Sequence, residues 1–303
     1  MAAERFGNVA APTVVIPPNV FASARDTMGV FFEPISRVDR TTAARDFLDT
    51  AKSRKRAEIL ERYTPLRGRK VLEIGSGFGT NVAAWTLEFS IDGYGVEPSS
   101  DGFDAGYTAS RELLAANGID PERIIDAPGE RLPFPDSTFD IVYSANVLEH
   151  TNEPDRVLTE AIRVLRPGGI LHVEVPNHLS YFEGHYMVFT PPLVHRRVLP
   201  AWITLLGRDP AFSRTLQTQI NPLWCRRVLQ RIGRTYPLEI VSFGEDIFLE
   251  RLARPFKFEA EGVAQRLSWI VRTIQFLNAG NWIGASIVAA RGYYPLYLTV
   301  RRR

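Results

Sequence analysis

The chain has 303 residues and a formal net charge of +2, with 45% hydrophobic and 23% charged residues. This composition is typical of one large globular domain, or of one domain with a sizeable insertion, and excludes a disordered or fibrous chain. A lone cysteine, Cys225, excludes an internal disulfide, no run approaches the ~18 apolar residues of a membrane span, and no signal peptide is predicted, so a cytoplasmic protein is expected.

The first predicted element is a helix in "TTAARDFLDTAKSRKRAEILERY", residues 41–63, which follows an arm rich in proline and phenylalanine. Arms of this kind often cover a ligand cleft. We therefore expect residues 1–64 to form an N-terminal arm and helix over the cleft of a cofactor.

From Lys70 onward, short β-rich runs alternate with helical patterns. This alternation predicts βαβ units, and hence an α/β fold with a mostly parallel sheet and helices on both faces. The predicted core spans residues 65–177. Its strands are expected at 70–75, 91–98, 123–127, 139–145 and 169–177, with helices in 104–118 and 153–169.

The regular alternation stops after the fifth strand. Residues 178–237 contain aromatic residues, prolines and arginines, and we interpret them as an inserted substrate cap. Residues 238–303 then supply the final strands, at 238–246 and 294–300. A helical insertion separates these two strands and includes an amphipathic helix at 262–278, which either packs on the domain or lies on a membrane surface.

A glycine-rich segment, "VLEIGSGFG", covers residues 71–79. Glycine allows the backbone to turn sharply and to approach a ligand, because no Cβ is in the way. A second acid, Glu97, ends the next strand and lies 22 residues beyond Gly75. An acidic residue about 20 residues after such a loop binds the ribose hydroxyls of a nucleoside cofactor, so the pair is more specific than either part.

The glycine spacing is G-x-G-x-G rather than the G-x-G-x-x-G of dinucleotide sites, and Glu73 precedes it. A carboxylate there suits an ammonium and a sulfonium better than a pyrophosphate. Together with "YGVEPS", "ERLPFPDSTFDIVYSANVLEH" and "AIRVLRPGGILHVEVPN", the loop resembles class I S-adenosylmethionine-dependent methyltransferases of type 11. The resemblance implies a Rossmann-like sheet whose last strand is antiparallel.

The resemblance also implies S-adenosylmethionine as cofactor, with the methionine part at Gly75 and Gly77 and the ribose at Glu97. The segment at Gly129 and Glu130 would then lie at the adenine edge. Many relatives have Asp-Ala where this chain has Pro128-Gly129, so Asp126, Glu130 or backbone groups remain alternatives for the adenine amino group, and Asp126 as a solvated carboxylate remains another. The complete implied set is Glu73, Gly75, Ser76, Gly77, Gly79, Glu97, Pro98, Gly129, Glu130 and Asn146.

Candidate catalytic residues follow the fourth strand, in "SANVLEH". Ligands collect beyond the carboxyl ends of parallel strands, and methyl transfer to a hydroxyl needs a base. His150 is the predicted general base, although a histidine at such a position is often structural. Glu149, His150 and a later histidine, His185, alternatively suit a divalent metal, because some hydroxyl methyltransferases have a similar E-x-x-E-H motif, whose first acid is Asn146 here.

The acceptor is expected to be a hydroxylated small molecule. The Asn/Asp-Pro-Pro-Tyr/Phe turn of many enzymes that methylate nitrogen in nucleic acids or proteins is missing after the fourth strand, which favours oxygen or carbon acceptors. No nucleic-acid partner is predicted. "EGHYMVFTPPL…LGRDP" loosely resembles bacterial methyltransferases of glycan and natural-product pathways. This likeness implies O-methylation of a sugar, either free or attached to a carrier.

The uneven distribution of charge along the chain supports an anionic group on the acceptor. Residues 191–303 sum to +10 and residues 1–190 to −8. Arginines of the cap would hold a phosphate while its aromatic residues stack on a ring, or the second part would contact an anionic lipid surface peripherally. Ordinary solvated arginines and core tryptophans explain the same residues, and the oligomeric state stays open.

Two other functions are compatible with the sequence. A nicotinamide-dependent oxidoreductase has a similar sheet, although the glycine spacing and "LPFPDSTFD" oppose it. A non-catalytic relative that binds S-adenosylmethionine would keep the same fold as a scaffold. The presence of Glu73, the glycines, Glu97 and His150 favours an enzyme over a decayed relative.

Overall fold

A sheet of parallel strands connected by helices organises the protein, as seen in a computed structural model that describes residues 13–99, 104–253 and 280–303. The strands are β1 Lys70–Ile74, β2 Asp92–Val96, β3 Ile124–Ile125, β4 Phe139–Ala145, β5 Leu165–Val175, β6 Phe182–Glu183, β7 Val188–Phe189, β8 Leu238–Ser242 and β9 Leu296–Arg302. The helices are α1 Pro18–Ser36, α2 Arg40–Phe47, α3 Thr50–Glu61, α4 Thr80–Phe89, α5 Asp104–Ala116, α6 Pro154–Val164, α7 Leu199–Leu205, α8 Pro222–Ile232, α9 Glu245–Ala253 and α10 Gly280–Ala289.

Seven strands form the main sheet in the order β3-β2-β1-β4-β5-β9-β8. The five strands from β3 to β5 are parallel neighbours, and β9 runs antiparallel to both β5 and β8. The predicted α/β fold with an antiparallel last strand is therefore confirmed. The order places the carboxyl ends of β1, β2 and β4 side by side, at one edge of the sheet.

Each face of the sheet carries its own hydrophobic core. Alternate residues of β1 point to opposite faces, so Leu72 and Ile74 pack in one core while Val71 packs in the other. α6 and α8 cover the first face, and α1, α4 and α5 cover the second. Burial of each such side chain stabilises the fold by roughly 1.5–3 kcal/mol.

Between residue 13, where the described part begins, and β1 the structure has three helices instead of the one predicted. The predicted helix at 41–63 is interrupted, because Asp49 accepts a hydrogen bond from the amide of Ala51 and begins a new helix, α3, just as Asp39 begins α2. Trp85 donates its indole N–H to the carbonyl of Ser53, which fixes α3 against α4. The N-terminal helices thus lie next to the helix that follows the glycine loop.

The predicted cap at 178–237 divides into two parts. Its first part contains the β6–β7 hairpin and α7, and it encloses a small cluster of its own around Tyr186, Leu199 and Ile203. α8 belongs instead to the main core, where Trp224 and Cys225 are buried. The amphipathic helix predicted at 262–278 lies outside the described residues, and no helix among the described ones is long and apolar enough to cross a membrane.

Candidate active site

The glycine loop joins β1 to α4 and is fixed to the end of β2. Gly75, Gly77 and Gly79 all have positive φ angles, of 70°, 53° and 73°. The amides of Gly75 and Ser76 both donate to the carbonyl oxygen of Val96, at 2.9 and 3.0 Å. The loop is therefore a rigid left-handed turn whose position depends on β2.

Two glycines of this loop serve different purposes. A Cβ on Gly75 would lie 2.3 Å from Cγ2 of Val147, so this residue lets the loop pack against the segment after β4. A Cβ on Gly77 would meet nothing within 4 Å. Gly77 is thus the point at which the backbone itself faces open space and a ligand can approach it.

Glu73, at the carboxyl end of β1, is a buried acid with an unused oxygen. Its side chain is buried, and Oε1 accepts a hydrogen bond from Nδ2 of Asn81 at 2.5 Å. Within the described part of the chain, Oε2 has no hydrogen-bond partner. Burial raises the pKa of this carboxyl to about 8. A cationic group of a ligand would complete its interactions.

The raised pKa predicts how stability depends on pH. The unfolded chain ionises Glu73 near its ordinary value of 4.5, whereas the ligand-free folded chain keeps the proton to about pH 8. The free energy of unfolding should therefore fall across this interval, by up to a few kcal/mol from this group. Glu73→Gln should lose that contribution, as measured by urea unfolding at pH 5 and pH 8. Equal pH dependence in both proteins would contradict the assignment.

Glu97, at the carboxyl end of β2, connects the loop to α5. Its Oε2 accepts the amide of Gly77 at 2.8 Å, and a Cβ on Gly106 would lie only 3.3 Å from Oε1. Pro98 follows it, half-buried. The carboxylate therefore lies beside the open face of Gly77, where the sequence predicted a ribose.

The residues expected at the adenine edge are all engaged within the protein. Oδ1 of Asp126 accepts the amide of Ser99, and Oδ2 accepts the hydroxyl of the same residue. The hydrogen bond from the hydroxyl is the main cause of the lowered pKa of Asp126. Glu130 accepts the amide of Asn152 at 3.2 Å. A Cβ on Gly129 would lie 2.9 Å from Ile74. Asp126 thus holds the segment after Glu97 in place, and an adenine contact at this edge stays a prediction.

Three predicted site residues, from two separate segments of the chain, lie close together beyond β4. Glu149 and His150 belong to a 3₁₀ turn, Leu148–His150, and His185 comes from the loop between β6 and β7. Oε1 of Glu149 lies 3.8 Å from Nε2 of His150 and 3.7 Å from Nε2 of His185. We call these three residues the Glu-His-His cluster. Asn146, exposed and with a φ of 54°, begins the segment that leads to it.

The electrostatics of the cluster differ from one residue to the next. Burial raises the pKa of Glu149 to about 7 and lowers the pKa of His150 to about 3, so His150 is neutral at physiological pH. Burial alone would lower the pKa of His185, but the adjacent carboxylate of Glu183 outweighs it and the pKa is raised. His150 is therefore unprotonated but a weak base, and its side chain keeps 28% of its surface exposed.

Three neighbours of the site were absent from the sequence prediction. Glu183 accepts a hydrogen bond from Nδ1 of His185 at 2.7 Å. An acid two residues before a candidate histidine could have been identified from the sequence as its partner. Asn81 contacts Glu73 from the first turn of α4. Phe212 packs against both histidines, with ring centroids 5.4 Å from each, and only the tertiary structure reveals it.

Comparisons with known proteins agree with this geometry. Residues 72–173 match the family model described as a methyltransferase domain. An uncharacterized methyltransferase from Mycobacterium sp. (strain JLS) is 35% identical over 143 residues, which are 47% of this chain and 53% of the relative. Rv0224c of Mycobacterium tuberculosis (strain ATCC 25618 / H37Rv), an uncharacterized methyltransferase, is 33% identical over 152 residues, or 50% and 55% of the two chains. These matches span about half the length of the relatives.

A solved structure extends the similarity to the whole fold. A chain in the complex of the Haloferax volcanii Trm112 methyltransferase activator with a methyltransferase superposes with a TM-score of 0.52 and 16% identity, over 95% of this chain and 99% of the other. At this identity the likeness concerns the fold alone. The matched residues 72–173 include β1 with its glycine loop and the turn that carries Glu149, so this part of the chain is similar to a methyltransferase domain.

Proposed function

We propose that the protein transfers the methyl group of S-adenosylmethionine to a hydroxyl of a small metabolite, a sugar carried on a phosphate-bearing carrier being the favoured acceptor. The observation that carries this proposal is the position of the Glu-His-His cluster. Val147 packs against Gly75 of the glycine loop, and Glu149 follows two residues later in the same segment. The 3₁₀ turn that carries the candidate proton acceptor, His150, therefore starts directly after the residue that contacts the glycine loop.

The cofactor would occupy the groups described at the carboxyl ends of β1 and β2. Glu73 would receive the ammonium of the methionine part, because its Oε2 is buried and lacks a hydrogen bond within the described residues. Glu97 would accept the ribose hydroxyls. The backbone at Gly77 gives the ligand room to lie between them.

The reaction needs one bond formed, one bond broken and one proton removed. The acceptor oxygen attacks the methyl carbon while the bond from that carbon to the sulfonium breaks, which leaves S-adenosylhomocysteine. The hydroxyl proton passes to a base as its oxygen gains positive charge. His150 would take this proton: its imidazole is partly exposed, and an oxygen that has begun to bond to the methyl carbon is acidic enough to pass its proton to a weak base. Correct alignment of the oxygen and the methyl carbon contributes the larger part of the rate.

A basic cavity supports a phosphate on the acceptor. It is a depression of about 630 Å³ that is wide open to solvent. Arg214 lies on its wall and ends the 3₁₀ turn that begins at Phe212, the ring that touches His150 and His185. The cavity is therefore joined to the cluster by one short turn. It is lined by Arg196, Arg197, Pro200, Ala201, Thr204 and Arg214.

Transfer of radiolabelled methyl to an extract of the source cells tests this proposal. We expect label in a hydroxylated compound that also carries phosphate, recovered in the lipid or glycan fraction. Label only in protein or nucleic acid, or no label despite cofactor binding, would contradict it.

Variants of the cavity test the phosphate contact separately. The double variant Arg196→Gln/Arg197→Gln should raise the KM for the acceptor by roughly 10-fold or more with little change in kcat, since each charged hydrogen bond contributes ~1.5–3 kcal/mol. Arg234→Gln, which removes an exposed arginine outside the cavity lining, is the control and should leave KM unchanged. Equal KM values in all three proteins would exclude the cavity as the phosphate site.

A further inference from the structure

We infer that Glu149, His150 and His185 form a binding site for one divalent transition-metal ion. The inference concerns binding and does not depend on the acceptor proposed above, but a bound ion would change the role of His150 from base to ligand. It depends on three features of the cluster: a buried carboxylate without hydrogen bonds among the described residues, the convergence of two imidazole nitrogens on it, and a second carboxylate that orients one of them.

The first feature is the state of Glu149. Its side chain has no solvent-exposed surface, and neither oxygen has a hydrogen-bond partner in the described part of the structure. A carboxylate left in this state costs several kcal/mol unless a cation or a proton compensates it. The backbone of the residue is held, since its carbonyl accepts the amide of Gln217 at 2.9 Å, so the side chain is fixed in the interior.

The second feature is the convergence of donors on one point. Oε1 of Glu149 lies 3.7–3.8 Å from Nε2 of each histidine, too far for hydrogen bonds. All three candidate ligand atoms lie within 4.8 Å of one another. An ion bound ~2.1 Å from each ligand holds those atoms roughly 3–4 Å apart, so the gap fits an ion after a small rotation of the rings.

The third feature is the support of His185 by Glu183. Nδ1 of the histidine lies 2.7 Å from Oε1 of Glu183, and a carboxylate oxygen accepts hydrogen bonds, so Nδ1 carries the hydrogen. Nε2, the nitrogen that faces Glu149, is then left to act as a ligand. Glu183 is itself fixed by the amide of Tyr186 at 2.8 Å. A carboxylate behind a ligating histidine is the usual outer support of a metal site.

The donor types select the class of ion. Two imidazole nitrogens and one carboxylate oxygen suit zinc, manganese, cobalt or iron(II), whereas magnesium and calcium prefer oxygen donors. Three protein ligands leave positions open for water or a hydroxyl, whose pKa the ion would lower. If the proposed function holds, the acceptor hydroxyl would occupy such a position and His150 would act as a ligand rather than as the base.

Cobalt(II) titration of the chain without a histidine tag tests the site directly, because cobalt bound to nitrogen gives a visible absorption band. We expect one equivalent to bind, and Glu149→Gln and His185→Asn to lose at least roughly 10-fold in affinity. Glu183→Gln should weaken binding by roughly 10–100-fold without removing a ligand. His195→Gln is the control, since His195 is exposed and lies outside the cluster.

Calorimetry with S-adenosylmethionine on the same proteins separates the two hypotheses. Failure of the unmodified chain to bind cobalt or zinc, or equal affinity in Glu149→Gln, would overturn the metal site and leave His150 as the proposed base. Cobalt binding by a chain that does not bind S-adenosylmethionine would instead overturn the proposed function and leave the metal site intact.

Discussion

Replacement of Glu97 by alanine is expected to weaken binding of S-adenosylmethionine by roughly 100-fold or more, as measured by calorimetry. A carboxylate that accepts both ribose hydroxyls makes two charge-assisted hydrogen bonds, each contributing ~1.5–3 kcal/mol. The substitution also removes the acceptor that holds the amide of Gly77, so the loop loses a contact that fixes its shape. Both effects lower the affinity for S-adenosylmethionine.

Two further variants give this prediction its controls. Glu97→Gln keeps one side-chain oxygen, so its affinity should lie between those of the unmodified chain and Glu97→Ala. Glu122→Ala removes an exposed carboxylate whose partner is Arg111 at the surface, and it should leave cofactor affinity unchanged. Unchanged affinity in Glu97→Ala would show that the ribose does not lie at this residue.

Gly75→Ala is expected to destabilise the protein by about 2–5 kcal/mol in chemical denaturation. The new methyl group would lie 2.3 Å from Cγ2 of Val147, and the residue would keep a φ of 70°. Left-handed strain costs ~1–2 kcal/mol and overpacking a further ~1–3 kcal/mol. Gly77→Ala should cost only the strain, because a Cβ at Gly77 meets nothing within 4 Å.

Gly77→Ala should lose more affinity for S-adenosylmethionine than Gly75→Ala, although it loses less stability. The methyl group of Gly77→Ala would enter the space assigned to the ligand, so this folded variant should bind S-adenosylmethionine more weakly. The double variant Gly75→Ala/Val147→Ala removes the clash and should recover part of the lost stability. Similar stability of the two single variants, or no recovery in the double variant, would contradict the packing described for Val147.

The strands of the main sheet were predictable because each is an apolar run closed by glycine, proline or charged residues, whereas β6 and β7, inside the predicted cap, were not predicted. Element boundaries were less predictable. β5 begins at Leu165, directly after α6, whereas glycines at 168 and 169 predicted a later start. α2 and α3 are separate because Asp49 caps a new helix inside an otherwise periodic segment. In both cases local hydrogen bonds set the boundary of the element at a different residue from the one that the sequence pattern predicts.

The site divides in a similar way. The positions of Glu73 and Glu97 beside the glycine loop were predictable, since each lies at the end of a strand and at a fixed spacing from that loop. Their contacts with a cofactor stay predictions. The sequence also identified Glu149, His150 and His185, but their convergence depends on how the β6–β7 hairpin folds back over the end of β4. Phe212 and the support from Glu183 arise from the same folding. Such long-range contacts leave no periodic signal in the chain.

Calorimetric titration of the unmodified chain with S-adenosylmethionine, and separately with NAD, tests the central claim most directly. The account predicts saturable binding of one S-adenosylmethionine per chain and no heat of binding with NAD, because the loop lacks the spacing of a pyrophosphate site. Binding of NAD with no response to S-adenosylmethionine would contradict the account and identify a nicotinamide-binding protein instead.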